Sequence, residues 1–197
     1  MPRVTERYVQ QRRGEIVAAA RRRFARDGFH ATTMDDVSAE AGVSTSVVYR
    51  WFSGKDELVG ACIGEVLQGV VEELEQTLRI EPPVPLMDAV RRMLTGILAR
   101  TTKDGEDLTA IVVQAWAEAM RDPSVKNLLG TVYTRMREGL AELVVRHQEA
   151  GTMSPDLNPE VAARQLFSLI PGFIVQHLVL GAEGLETYLS GERLLPI

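Results

Sequence analysis

Apolar residues along this chain recur at spacings of three and four and nowhere alternate, a period that builds helices and offers no strand. Over 197 residues the pattern predicts an all-α protein of one large or two small domains, long enough to bury a core. Turn and cap residues place the helix ends. A first helix is predicted over 9–27, with Ile16, Ala20 and Phe24 on one face; Gly28 then gives a left-handed stop and Phe29 packs back across it. Thr33 to Asp36 has the form of a capping box opening a short helix with Val37 and Ala41 inward, and Gly42 ends it. Ser44 is the expected cap of a third helix over 45–51.

A fourth helix begins at Ser53 to Asp56 and runs to Leu78. Its length of roughly 35–40 Å would carry it from one module into the next. Pro82, Pro83 and Pro85 break the chain after it. Further helices are expected over 86–101, 108–121, 123–150 and 159–180, with a polar loop at Lys103 to Asp107 and a short last helix over 185–190. Asp122-Pro123 and Asn158-Pro159 are start signals, and Gly151 is a stop.

Charge is unevenly distributed. The chain carries 22 Lys and Arg against 27 Asp and Glu, a net −5. Residues 1–53 nevertheless hold nine arginines against six acids, and the remainder holds 13 bases against 21 acids. A basic head on an acidic body points to a nucleic-acid module joined to something else.

The second and third helices, joined by Gly42-Val43-Ser44, make a helix-turn-helix outline. Val37, Ala41, Val43, Val48 and Phe52 are spaced to seat them on the first helix, which leaves Thr45, Ser46, Tyr49 and Arg50 outward. Small hydroxyls at a helix start permit close approach to base edges, and Tyr and Arg reach phosphates or bases. Thr33 with the free amides of its helix forms a phosphate site, and Lys55 stands where it can touch the flanking strand.

The series Phe24, Gly28-Phe29, Thr32-Thr33, Asp36-Val37, Ala41 to Ser44, Tyr49, Phe52, Lys55 and Leu58 closely resembles the DNA-binding domain of the tetracycline-repressor (TetR) family. The resemblance covers roughly residues 10–60. It implies a DNA-binding domain over 1–54 and a helical effector-binding and dimerisation domain over 55–197. It also implies a homodimeric repressor released from palindromic double-stranded DNA by a small-molecule effector. On that resemblance Thr33 is a phosphate contact, Ser44 a cap and phosphate contact, and Thr45 and Ser46 base-proximal; Tyr49 and Lys55 meet the backbone. Ser46 stands where the family often has glycine, and Thr45 where a basic residue is common, so base readout does not transfer. Trp51 and Phe52 are expected to face inward as a joint to the fourth helix.

The helix over 159–180 is apolar nearly all round and must be covered on all sides. A four-helix interface between two copies is expected from Leu129, Met136 and Leu140 on one helix and Leu166, Leu169, Ile170 and Ile174 on the next. Pro171-Gly172 is expected to kink it. Candidates for an effector pocket, suited to a largely apolar ligand, are Met93, Ile97, Trp116, Met120, Tyr133, Phe167, Phe173 and His177. Gln114, Glu118 and Arg121 share a face and read as a solvated stripe.

Catalytic signatures are not found. His30, His147 and His177 are scattered, so no metal cluster is expected. No glycine loop follows a strand, no tuned carboxylate pair stands out, and no cofactor or enzyme activity is expected. Cys62 is alone, which excludes an internal disulfide and suits a reducing compartment. The apolar run over 166–181 is interrupted by Pro171, Gln176 and His177, and the N-terminus lacks the apolar centre of a signal peptide. A cytoplasmic protein with no membrane partner is expected. Two alternatives stay open: a DNA-binding dimer whose body only dimerises or binds protein, and an all-helical enzyme or lipid-binding protein that imitates the motif.

Overall fold

The computed structural model describes residues 6–101, 109–181 and 184–189, and the regular structure among them is helical. In chain order the helices are α1 (Glu6–Asp27), α2 (Met34–Glu40), α3 (Thr45–Trp51), α4 (Lys55–Leu78), α5 (Leu86–Thr101), α6 (Ala110–Glu118), α7 (Pro123–Glu149), α8 (Pro159–Leu180) and α9 (Leu185–Leu189). The expected loop at Lys103 to Asp107 and the expected helix start at Leu108 lie outside the described residues.

The chain forms two compact units. The first gathers the described residues of 1–65 and 102–125, the second those of 66–101 and 126–197. In the first, α1 packs on α2 and α6, and α2 packs on α3. Ile16, Val17, Ala20 and Phe24 of α1 are buried with Val37, Val48, Phe52, Leu58, Cys62 and Ile111. Gly28 ends α1 at φ +86°, its N–H donating to Phe24 O at 3.0 Å. Phe29 then lies edge-on to Phe24 with centroids 5.1 Å apart. Burial pushes the Cys62 thiol well above its ordinary range, which makes it an inert filler.

In the second unit α5 packs on α8 and α9. Val66, Val70 and Leu74 from α4 are buried, as are Val90, Met93, Leu94 and Ile97 from α5. Gly139 lets Leu74 lie against α7: a Cβ there would stand 2.8 Å from a Leu74 methyl. Arg146 closes the end of α4, donating to Leu78 O at 2.7 Å and Ile80 O at 2.8 Å. Asn158 opens α8 by accepting from the Glu160 and Val161 amides.

Three expectations bear on α7 and α8. Leu129, Met136, Leu140, Leu166, Ile170 and Ile174, assigned to a partner subunit, are buried inside the chain itself, and Leu169 is half-buried. The apolar period is real, but α5 already covers the inward face of α8. Second, the helix in which Pro171-Gly172 lies is continuous through both residues. Tyr188 from α9 docks there, its hydroxyl donating to Leu169 O at 3.0 Å; a Cβ on Gly172 would meet that hydroxyl at 2.9 Å. Third, α8 has 22 residues and a window of mean hydropathy 1.2, so by length and composition it could cross a bilayer. Ala162, Leu166, Ile170, Phe173 and Ile174 of that helix are buried within the chain, while Val161, Val175, Val179 and Leu180 are exposed.

Truncating Leu166 to Ala should leave a cavity and lower unfolding free energy by about 2–5 kcal/mol, read from a denaturant midpoint.

Candidate nucleic-acid interface

Two short helices present the candidate surface, and each is fixed by polar contacts around its first turn. At α2 the capping box forms as the spacing predicts. Thr33 Oγ1 accepts from the Asp36 amide at 3.1 Å, and Asp36 Oδ2 accepts from the Thr33 amide at 2.9 Å and the Thr33 hydroxyl at 2.6 Å. Arg23 donates to the other Asp36 oxygen at 2.8 Å. These donors, Thr33 first and Arg23 after it, lower the Asp36 pKa from 3.8 to about 2. The hydroxyl proton of Thr33 is therefore engaged by Asp36, and what α2 offers outward is its exposed first turn.

Ser44 occupies the N-cap position of α3, and its carbonyl accepts from Val47 N at 2.9 Å. The expected side-chain cap does not form: Ser44 Oγ pairs with Ser46 Oγ at 2.9 Å instead. Thr45 turns toward α2, its hydroxyl donating to Asp35 Oδ1 at 2.6 Å, with Ser38 Oγ 3.1 Å away. Val48 is fully buried, whereas Ser44, Ser46, Tyr49 and Arg50 are exposed, Tyr49 at 52%. Phe52 is buried beneath α3 with the Arg13 guanidinium 5.2 Å from its ring centre, and Trp51 is half-buried. Lys55 Nζ donates to His30 O at 3.1 Å, tying the start of α4 to the turn before α2. The Ser53 amide and hydroxyl close on Glu57 Oε2 at 2.7 and 2.8 Å, which lowers the Glu57 pKa.

Much of the basic head is neutralised inside the chain. Arg12 pairs with Glu15, Arg21 with Glu65, Arg22 with Glu40, Arg23 with Asp27 and Asp36, and Arg26 with Asp27 and Glu40. Arg50 makes no ion pair among the described residues and is exposed on α3. The positive charge presented to a ligand is thus narrower than the segment count suggests, with the exposed Arg50 of α3 part of what remains.

The stripe on α6 has a different role from the solvated one expected. Gln114 clasps the end of α1: its Oε1 accepts from the Phe29 amide at 2.9 Å and its Nε2 donates to Phe24 O at 2.9 Å. Beside it His30 lies 3.6 Å from Glu118 and 2.7 Å from an Arg121 nitrogen. The three-residue stripe was visible in the sequence; its partner, some 85–90 residues away, was not.

The proposed effector residues are distributed between the units. Trp116 is half-buried and Met120 is 88% exposed, both in the first unit. In the second unit Met93 and Ile97 are buried on α5. Tyr133 and Phe167 meet edge to face at 5.0 Å, and Phe173 stacks on His177 at 5.6 Å. Tyr188, which the sequence reading missed, joins Phe173 at 5.2 Å. Phe173, His177 and Tyr188 border a cleft of about 20 Å³, space for about one water. Among the described residues no group of three or more His, Cys, Asp or Glu is placed to hold a metal.

An exposed helix with hydroxyls, Tyr and Arg on one side and Val48 on the other, set across a glycine turn from a capped helix, defines a helix-turn-helix DNA-binding regulator. Comparison with known proteins gives the family. Residues 16–62 match the model of bacterial regulatory proteins of the tetR family, and residues 86–188 match that of the C-terminal region of BetI-type transcriptional repressors. The uncharacterized HTH-type transcriptional regulator YfiR of Bacillus subtilis is 37% identical over 92% of this chain and 87% of its own. The regulator UidR of Escherichia coli is 29% identical over 84% of this chain and 81% of its own. The structure of Salmonella enterica GusR superposes with a TM-score of 0.72 at 26% identity, over 98% of this chain and 96% of that one. The chain belongs to the TetR family of transcriptional regulators.

The capping box carries a pH signature. The Asp36 pKa is depressed, so its contribution is present above about pH 4 and is lost as pH falls toward 2. Asp36→Asn should unfold more easily than the wild type at neutral pH, and the gap between their denaturant midpoints should close across that window.

Proposed function

We propose that the protein is a homodimeric repressor that grips a palindromic operator through α3 and is released when a small molecule binds the helical body. The observation carrying this reading is the division of α3, with Val48 buried and Ser46, Tyr49 and Arg50 exposed side by side. Residues 1–54 would form the reading head and residues 55–197 the effector and dimerisation body. Thr33, Ser44 and Lys55 would sit along the DNA backbone, Tyr49 and Arg50 would meet phosphate or base, and Thr45 and Ser46 would lie nearest the base edges. Two copies of α3 about 34–36 Å apart would enter successive major grooves. An effector favouring another spacing would lower affinity through a coupling energy of about 1–3 kcal/mol.

For the dimer, the outward face of α8 is the better surface. Val161, Gln165, Ser168, Val175 and Val179 are exposed at spacings of three, four and seven, with Val179 at 74%. Such a stripe on an otherwise packed helix suits pairing with its own copy. For the effector, the aromatic groups around Phe173 and Tyr133 favour a flat or cationic apolar molecule.

Binding of a palindromic duplex should weaken steeply with salt, and Tyr49→Phe should lower affinity for every sequence while thermal unfolding is unchanged. Salt-independent binding would rule out phosphate contacts. Separately, Val175→Glu with Val179→Glu should convert a dimer to a folded monomer, as measured by light scattering; an unchanged mass would remove α8 from the interface.

A further inference from the structure

Asp35 lies in the first turn of α2, within a segment otherwise suited to an anion, and its surroundings differ from those of its neighbours. Asp36 and Glu40 are both neutralised by arginines, and Glu57 is closed on Ser53. Asp35 is exposed and pairs with no cation among the described residues. Its Oδ1 accepts the Thr45 hydroxyl at 2.6 Å, and its backbone carbonyl accepts the Ser38 hydroxyl at 2.9 Å. Each hydroxyl has a single proton to give. With Ser38 donating to Asp35 O and Thr45 to Asp35 Oδ1, Thr45 has no proton left for a base. The carboxylate, in turn, is held beside the first residue of α3, and Oδ2 makes no hydrogen bond among the described residues.

A fixed carboxylate at a DNA surface has few favourable partners. Phosphates repel it, as do the acceptor edges of guanine (N7, O6) and thymine (O4). Cytosine offers an amino donor in the major groove, and adenine offers one beside its N7 acceptor. We propose that Asp35 is a specificity-determining residue that accepts a hydrogen bond from a base amino group, cytosine before adenine, with Thr45 acting as its positioning residue. This rests on the proposed DNA reading of α3 and assigns the selective contact to α2.

The test is selection of binding sites from a duplex library with a randomised centre, using the full-length wild type, Asp35→Asn and Thr45→Val. The wild type should enrich a two-fold symmetric motif with cytosine required at one position of each half-site. Asparagine pairs with adenine N6 and N7, so Asp35→Asn should move that one position toward adenine by roughly 5- to 100-fold and leave the others as they were. Thr45→Val should keep the same preferred base with shallower discrimination. An unchanged motif in Asp35→Asn, or an equal loss on all duplexes in both variants, overturns the proposal alone. A wild type that enriches no sequence overturns the DNA reading itself and the proposal with it. Thermal unfolding of each variant establishes that the compared proteins are folded.

Discussion

Helices of seven residues do not persist on their own in water, because nucleation costs more than two turns return. Both α2 and α3 have that length. The DNA-binding surface therefore depends on the buried side of α1, where Ile16, Val17, Ala20 and Phe24 receive Val37, Val48 and Phe52. Polar contacts then refine what the apolar core places: the Thr33–Asp36 box fixes the start of α2, and the Thr45–Asp35 bond fixes α3 against it. The exposed residues of α3 are thus positioned jointly by the buried side of α1 and by these polar contacts.

The same economy governs charge. Arginines along α1 bind Glu15, Asp27, Asp36, Glu40 and Glu65. Such partly exposed pairs contribute little energy singly. Their larger effect is to engage arginines that a polyanion could otherwise meet, while Arg50 on α3 stays exposed. A net-negative chain can thus be selective toward DNA, since attraction is concentrated where shape also fits.

Much of this was legible in the sequence because caps and stops are local. Gly28, the Thr33–Asp36 box and Asn158-Pro159 gave helix ends that the structure reproduces, and α5 and α8 keep their expected bounds. Family membership was legible from residues 10–60 for the same reason. Periodicity could not say what covers an apolar stripe, so Leu140, Leu166 and Ile170 were assigned to a partner subunit when they fill the chain's own core. Hydroxyl choices were equally hidden. Ser44 pairs with Ser46 in place of an amide, and Thr45 turns to Asp35, because the competing acceptors come together only after α2 and α3 pack.

The Gln114 amide makes α6 part of the first unit although nearly half the chain separates it from the helix it clasps. The unit that holds the helix-turn-helix is consequently encoded by two segments of gene rather than one. A chimera that exchanged only the first 65 residues would present the Phe29 amide and the Phe24 carbonyl to a foreign α6 with no matched amide to receive them. Recombination that leaves function intact must move residues 109–125 with the head, and this ties the evolution of what the protein reads to that of a helix far along its sequence.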